Sequence, residues 1–231
     1  MKYKYLKFSH KTRRLICAIS ITALCIFCFF LSSCKKQIDY FKYVSELRNN
    51  IFIAQTEELS LRIFSVNKEH PYAADGIPKE TSSRAEFYLT TPSGDKTCNI
   101  TFNINNQSYG GEMSYDNVKA EYYYSCTLDI SALSEIDCHI EYGDAISNLK
   151  ALSVLNSNTL PPDNILNNLI HSEKTLFDSM TDKYGFSGEI YIRLIYEEAP
   201  YYYVGVINRE GSIHAFLINA QSGKILARRQ S

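Results

Sequence analysis

Asp137-Cys138-His139-Ile140-Glu141 places an imidazole and two carboxylates within five residues. Side chains alternate along a strand, so Asp137, His139 and Glu141 would share one face and could together hold a divalent cation. An ordinary half-buried strand needs the same alternation, with Cys138, Ile140 and Tyr142 turned inward, so the pattern fits both readings. Tyr122-Tyr123-Tyr124 and Tyr201-Tyr202-Tyr203 carry rings that could stack on a glycan or a peptide, although every strand turns alternate tyrosines outward. His70, His171 and His214 are scattered, and local spacing assembles no Ser-His-Asp, Cys-His, phosphate-loop or HExxH arrangement. No catalytic residue is assigned, and no cofactor is expected.

The third kind of chemistry is a thiol near the N-terminus. Six basic residues (Lys2, Lys4, Lys7, Lys11, Arg13 and Arg14) precede an uncharged apolar run from Leu15 to Leu31. Basic flanks hold the preceding end in the cytoplasm, and the run is slightly short of a comfortable bilayer span. It ends in Leu31-Ser32-Ser33-Cys34, which resembles the lipobox of bacterial lipoproteins. The resemblance implies cleavage between Ser33 and Cys34 and acylation of the Cys34 thiol with two or three chains, enough for a stable anchor. It also implies a location at the extracytoplasmic face of the cell membrane. The alternative is an uncleaved signal-anchor helix with Cys34 as an incidental thiol. Lys35 and Lys36 follow, placed either against anionic headgroups, for about 1 kcal/mol each, or in a solvated linker.

Beyond residue 33 the chain has 18 basic and 25 acidic residues, a net charge of −7. Nucleic-acid binding needs clustered Lys and Arg, so that class of partner is excluded. With 45% hydrophobic residues, 10 Gly and 6 Pro, the composition is that of a globular protein, and 18 Tyr with 12 Phe and no Trp favours strands. Of seven cysteines, three lie in the apolar run and one is Cys34, leaving Cys98, Cys126 and Cys138. Export permits a disulfide, for which Cys126 and Cys138, on consecutive predicted strands, are the favoured pair; three buried reduced thiols are the alternative.

The elements that must position these residues fall into two groups. A tether spans residues 34–49. Over residues 50–142 seven short strands with turn signals predict an antiparallel β-sandwich of immunoglobulin-like architecture, without the Trp of the true superfamily. Residues 143–162 read as a connector ending in Pro161-Pro162. Residues 163–231 then read as α+β: an amphipathic helix of about five turns carrying Ile165, Leu166, Leu169, Phe177 and Met180, followed by an antiparallel meander.

The last hairpin, Phe216 to Arg229, with sequence FLINAQSGKILARR, resembles that of PepSY domains, which run from an aliphatic pair through Asp-Ala and a polar pair to Gly-Lys. Ala220, Gly223 and Lys224 match, and Asn219 replaces the Asp. A cystatin-like helix and sheet is the closest structural competitor. PepSY domains are noncatalytic interaction or inhibitory modules, some found beside peptidases, so the resemblance implies binding and transfers no catalytic residue. The expectation is therefore a membrane-anchored, noncatalytic lipoprotein that binds a protein, peptide or cell-envelope component, with peptidase regulation as one form of that role. The alternative is an envelope hydrolase or metal-dependent enzyme using Asp137, His139 and Glu141.

Overall fold

The computed structural model describes residues 38–69 and 77–230. The apolar run, Ser33 and Cys34 lie outside the described residues. A short 3₁₀ turn at Tyr40–Tyr43 leads directly into β1 (Val44–Gln55), so regular structure begins inside the expected tether.

The chain is mainly β and almost wholly antiparallel. β1 is followed by β2 (Ser60–Glu69), β3 (Thr81–Thr90), β4 (Cys98–Ile104), β5 (Gln107–Glu112), β6 (Ser114–Asp116), β7 (Glu121–Cys126), β8 (Glu135–Tyr142) and β9 (Ala145–Ser153). These strands belong to one sheet that curls on itself, a barrel-like arrangement, whereas a sandwich has two separate sheets. β5 pairs with β4 and β6 pairs with β7. Met113 joins β5 to β6 and donates its N–H to the Cys98 carbonyl at 2.8 Å. This stretch therefore bridges the two halves of the wall. The circuit closes where Phe52 and Ile53 of β1 face Ser153 and Leu152 of β9. β9 occupies the region expected to be a connector; its alternation is hidden in the sequence because only Leu149 and Ala151 are buried.

Alternation dictates what fills the interior. Cys98, Ile100, Phe102 and Ile104 of β4 turn inward, as do Ile136, Cys138, Ile140 and Tyr142 of β8. They meet Phe52, Leu61, Ile63, Phe87 and Leu89 in one core, where the Phe87 and Phe102 ring centroids are 4.6 Å apart. Each such large side chain contributes about 1.5–3 kcal/mol by leaving water.

The second region begins with α1 (Pro162–Ser172), whose first turn accommodates Pro162 because its missing N–H would have no helical partner. The predicted five-turn helix is two helices. Glu173, at φ −112° and ψ 34°, leaves helical geometry, and α2 (Lys174–Ser179) follows. A two-residue-per-strand hairpin, β10 (Thr181–Asp182) and β11 (Gly185–Phe186), precedes the meander of β12 (Gly188–Tyr196), β13 (Pro200–Asn208), β14 (Ile213–Asn219) and β15 (Ile225–Gln230).

One face of the meander carries Ile190, Ile192 and Leu194 opposite Val206, Val204 and Tyr202, then Phe216 and Ile218, all buried. The helices lie on this face: the Tyr202 hydroxyl donates to the Leu160 carbonyl at 3.1 Å, and Arg228 of β15 donates to the Glu173 carboxylate at 2.8 Å. The β14–β15 turn works as its residue types predict. Asn219 Oδ1 accepts from the N–H groups of Gln221 and Ser222, and Gly223 supplies a φ of +69°. β12 also pairs in parallel with the first half of β1, Leu47 facing Ile192, so the meander continues the barrel-like sheet across a long sequence separation.

Candidate functional site

The Asp137, His139, Glu141 face exists as the alternation predicts. β8 runs between β4 and β9, with Thr101 and Asn148 flanking His139 and with Lys150 opposite Asp137. A shallow groove of about 360 Å³ is lined here by Thr101, Asn103, Asp137, His139, Asn148 and Lys150. Its polar groups are already engaged with one another. His139 Nδ1 lies 2.8 Å from Asn148 Oδ1, and His139 Nε2 lies 3.6 Å from Glu141. Lys150 lies 2.8 Å from Glu135 and 3.7 Å from Asp137, and these contacts raise its pKa, the hydrogen bond to Glu135 first. The Asp137 side chain is 75% exposed and that of Glu141 53%. Among the described residues no three His, Cys, Asp or Glu side chains converge as a cation site.

The expected Cys126–Cys138 bridge is not formed: Cys98, Cys126 and Cys138 are free. β7 and β8 are consecutive in sequence but not neighbours in the sheet. Cys126 stands opposite Ala85 of β3, and Cys138 opposite Phe102 of β4. Burial pushes the Cys98 thiol up to about 11 and Cys138 to about 12, so both behave as small apolar side chains.

A second polar cluster lies where β1 meets β12. Glu46 is buried and accepts two hydrogen bonds from the Arg193 guanidinium, one of them 2.9 Å from Nε. Ser45 Oγ donates to the fully buried Glu189 carboxylate. The Arg193 guanidinium also lies 4.4 Å from the centre of the Tyr191 ring. That ring fills the space over Gly205, where a Cβ would come within 2.0 Å of it. Sequence reading missed this joint because Val44-Ser45-Glu46-Leu47-Arg48 fell within the supposed tether. Ser45 and Glu46 are consecutive polar residues and both are buried, so the segment carries no period-two alternation that could have marked a strand.

The joint continues into an aromatic row on the outer face of the wall. Arg48 stacks over Phe64 at 4.2 Å, Phe64 lies 5.3 Å from Tyr88, and Tyr88 lies 5.1 Å from Tyr123. Burial lowers the Arg48 pKa and is also the first cause raising that of Tyr88, which donates to Glu86. The row ends in a cleft of about 210 Å³ lined by Tyr88, Ser114, Asp116, Lys119, Glu121 and Tyr123. Arg62 holds Glu121 at 2.9 Å there. Tyr123 of the first predicted tyrosine run thus faces outward, while Tyr122 is buried and donates to the Lys96 carbonyl. In the second run Tyr202 is buried and Tyr201 and Tyr203 are half-buried. These surfaces can offer hydrogen bonds, ring faces and balanced charges to a ligand.

No family model matches the chain, and neither a curated protein nor a solved structure matches it.

Proposed function

We propose that the chain is an exported bacterial lipoprotein, cleaved between Ser33 and Cys34 and acylated on Cys34. It sits at the extracytoplasmic face of the cell membrane, where its noncatalytic folded part binds a protein, peptide or cell-envelope component. The observation that carries this reading is Leu31-Ser32-Ser33-Cys34 directly after a basic stretch and an apolar run. Regular structure starting at Tyr40 leaves five residues between it and Cys34, a span of at most about 20 Å. The folded part therefore works close to the lipid surface, and tethered binding is its natural mode. The helix pair, the meander and the Asn219–Gly223 turn support a PepSY-like reading of residues 163–231, a class of interaction module.

Metabolic labelling with radioactive palmitate tests the anchor. The expected result is label and membrane fractionation in the natural chain and loss of both in Cys34→Ala. Label retained in Cys34→Ala, or absent from the natural chain, overturns it. Crosslinked pull-down from native membranes, compared with the released Cys34→Ala form, tests tethered binding; an equal absence of partners in both counts against it.

A further inference from the structure

β15 (Ile225–Gln230) ends the pairing path of the sheet. It pairs with β14 along one side and with no strand along the other among the described residues. Ile225 is half-buried and every later residue of the strand is exposed, with Leu226 at 49%. Such an edge leaves alternate backbone N–H and C=O groups pointing outward, able to receive another strand. The register between Leu217 and Ile218 skips Leu226, which makes it an extra, unpaired residue of a bulge.

Charge decides what can dock. Between Lys224 and Gln230 there are three basic residues and no acidic one, in a chain that is otherwise acidic beyond residue 33. Arg228 is held by Glu173, and Arg229 makes no ion pair among the described residues. A second copy laid antiparallel along this edge in the register that sets Arg228 opposite Arg229 would put like charges together, which disfavours that register. An extended acidic strand meets the opposite situation: its backbone completes the ladder and its carboxylates face Arg229 and Lys224.

We propose that the outer edge of β15 binds an extended acidic segment of a partner protein by strand addition. This deepens the binding role proposed above and rests on it.

The test uses the full chain in detergent micelles and a fluorescent decapeptide of alternating Glu and Val, read by anisotropy. The expected result is saturable binding, weakened about tenfold by Arg229→Glu, with that variant gaining affinity for the corresponding Lys–Val peptide. Two further Glu–Val peptides, N-methylated on opposite sets of alternate amides, should split: one binds and one fails, because only one set faces β15. Equal affinity of the two, high or low, overturns strand addition, as does failure of the unmethylated peptide to bind. A concentration-dependent dimer that the peptide cannot dissociate assigns the edge to a second copy and also overturns the proposal. Palmitate label on the same preparation separates the readings. Label with no peptide binding defeats the edge alone, and binding without label defeats the anchor alone.

Discussion

The outer stripe of β8 and the joint between β1 and β12 use the same vocabulary of Glu, Asp, Lys, Arg and His, yet they do different physical work. Along β8 the charges stand on the solvent side of the wall, where water screens Lys150, Glu135 and Asp137 and leaves each pair little net stabilisation. At the joint the Glu46 side chain is 8% exposed and Glu189 is fully buried, so each needs its partner to offset lost hydration. A cluster that looks chemical in sequence can thus be a solvated face, while one of the costly charges, Glu46, lies where a tether was expected. Placement relative to neighbouring strands, and not residue type, separates the two.

Substitutions at the joint should produce the largest effects. Glu46→Ala removes the buried carboxylate that accepts two hydrogen bonds from Arg193 and should lower the unfolding free energy by about 3 kcal/mol in urea denaturation. A loss below about 1 kcal/mol would put the joint in the same class as the stripe and end the contrast. Ser45→Ala removes a donor from the buried Glu189 carboxylate and should cost about 2 kcal/mol by the same measurement.

Directly behind the stripe, the thiols give a third test. Cys98 and Cys138 should stay silent to a thiol reagent at pH 8 and react once the chain unfolds. Burial raises the folded Cys138 pKa from 9.0 to about 12, so the unfolded thiol ionises first as pH rises. Its contribution is complete below about pH 9 and is lost progressively toward pH 12. Alkaline denaturation followed by circular dichroism should therefore flatten in Cys138→Ala. The smallest effects belong to the stripe: His139→Ala and Lys150→Ala should each leave the urea midpoint close to that of the natural chain. A larger change at His139, or stoichiometric metal lost on its replacement, would bring the stripe back as a functional centre.

What the sequence made legible was local. Alternation located β4 and β8 and put Cys138, Ile140 and Tyr142 inside. Pro161-Pro162 marked the start of α1, and Asn219 with Gly223 marked a turn whose hydrogen bonds and dihedral follow from those residue types. What stayed hidden depends on distant parts of the chain. Nothing near Leu47 says that Ile192 will lie beside it, and nothing near Cys126 says that its strand will pair with β3 instead of β8. The two clefts share this limit, since each gathers residues from several strands. β9 and the break at Glu173 were lost for another reason. Their buried positions are few, and an exposed strand or a helix interruption held by Arg228 leaves little periodic signal.

The parallel pairing of β1 with β12 also has a mechanical meaning. The chain preceding Tyr40 feeds straight into β1, which is held by β2 on one flank and by β12 and then β9 on the other. Tension arriving from that end would run lengthwise along β1, loading many ladder hydrogen bonds together in shear instead of opening them one at a time. The strand that unites the sheet is thus also the one that would carry a pull applied at its N-terminal end.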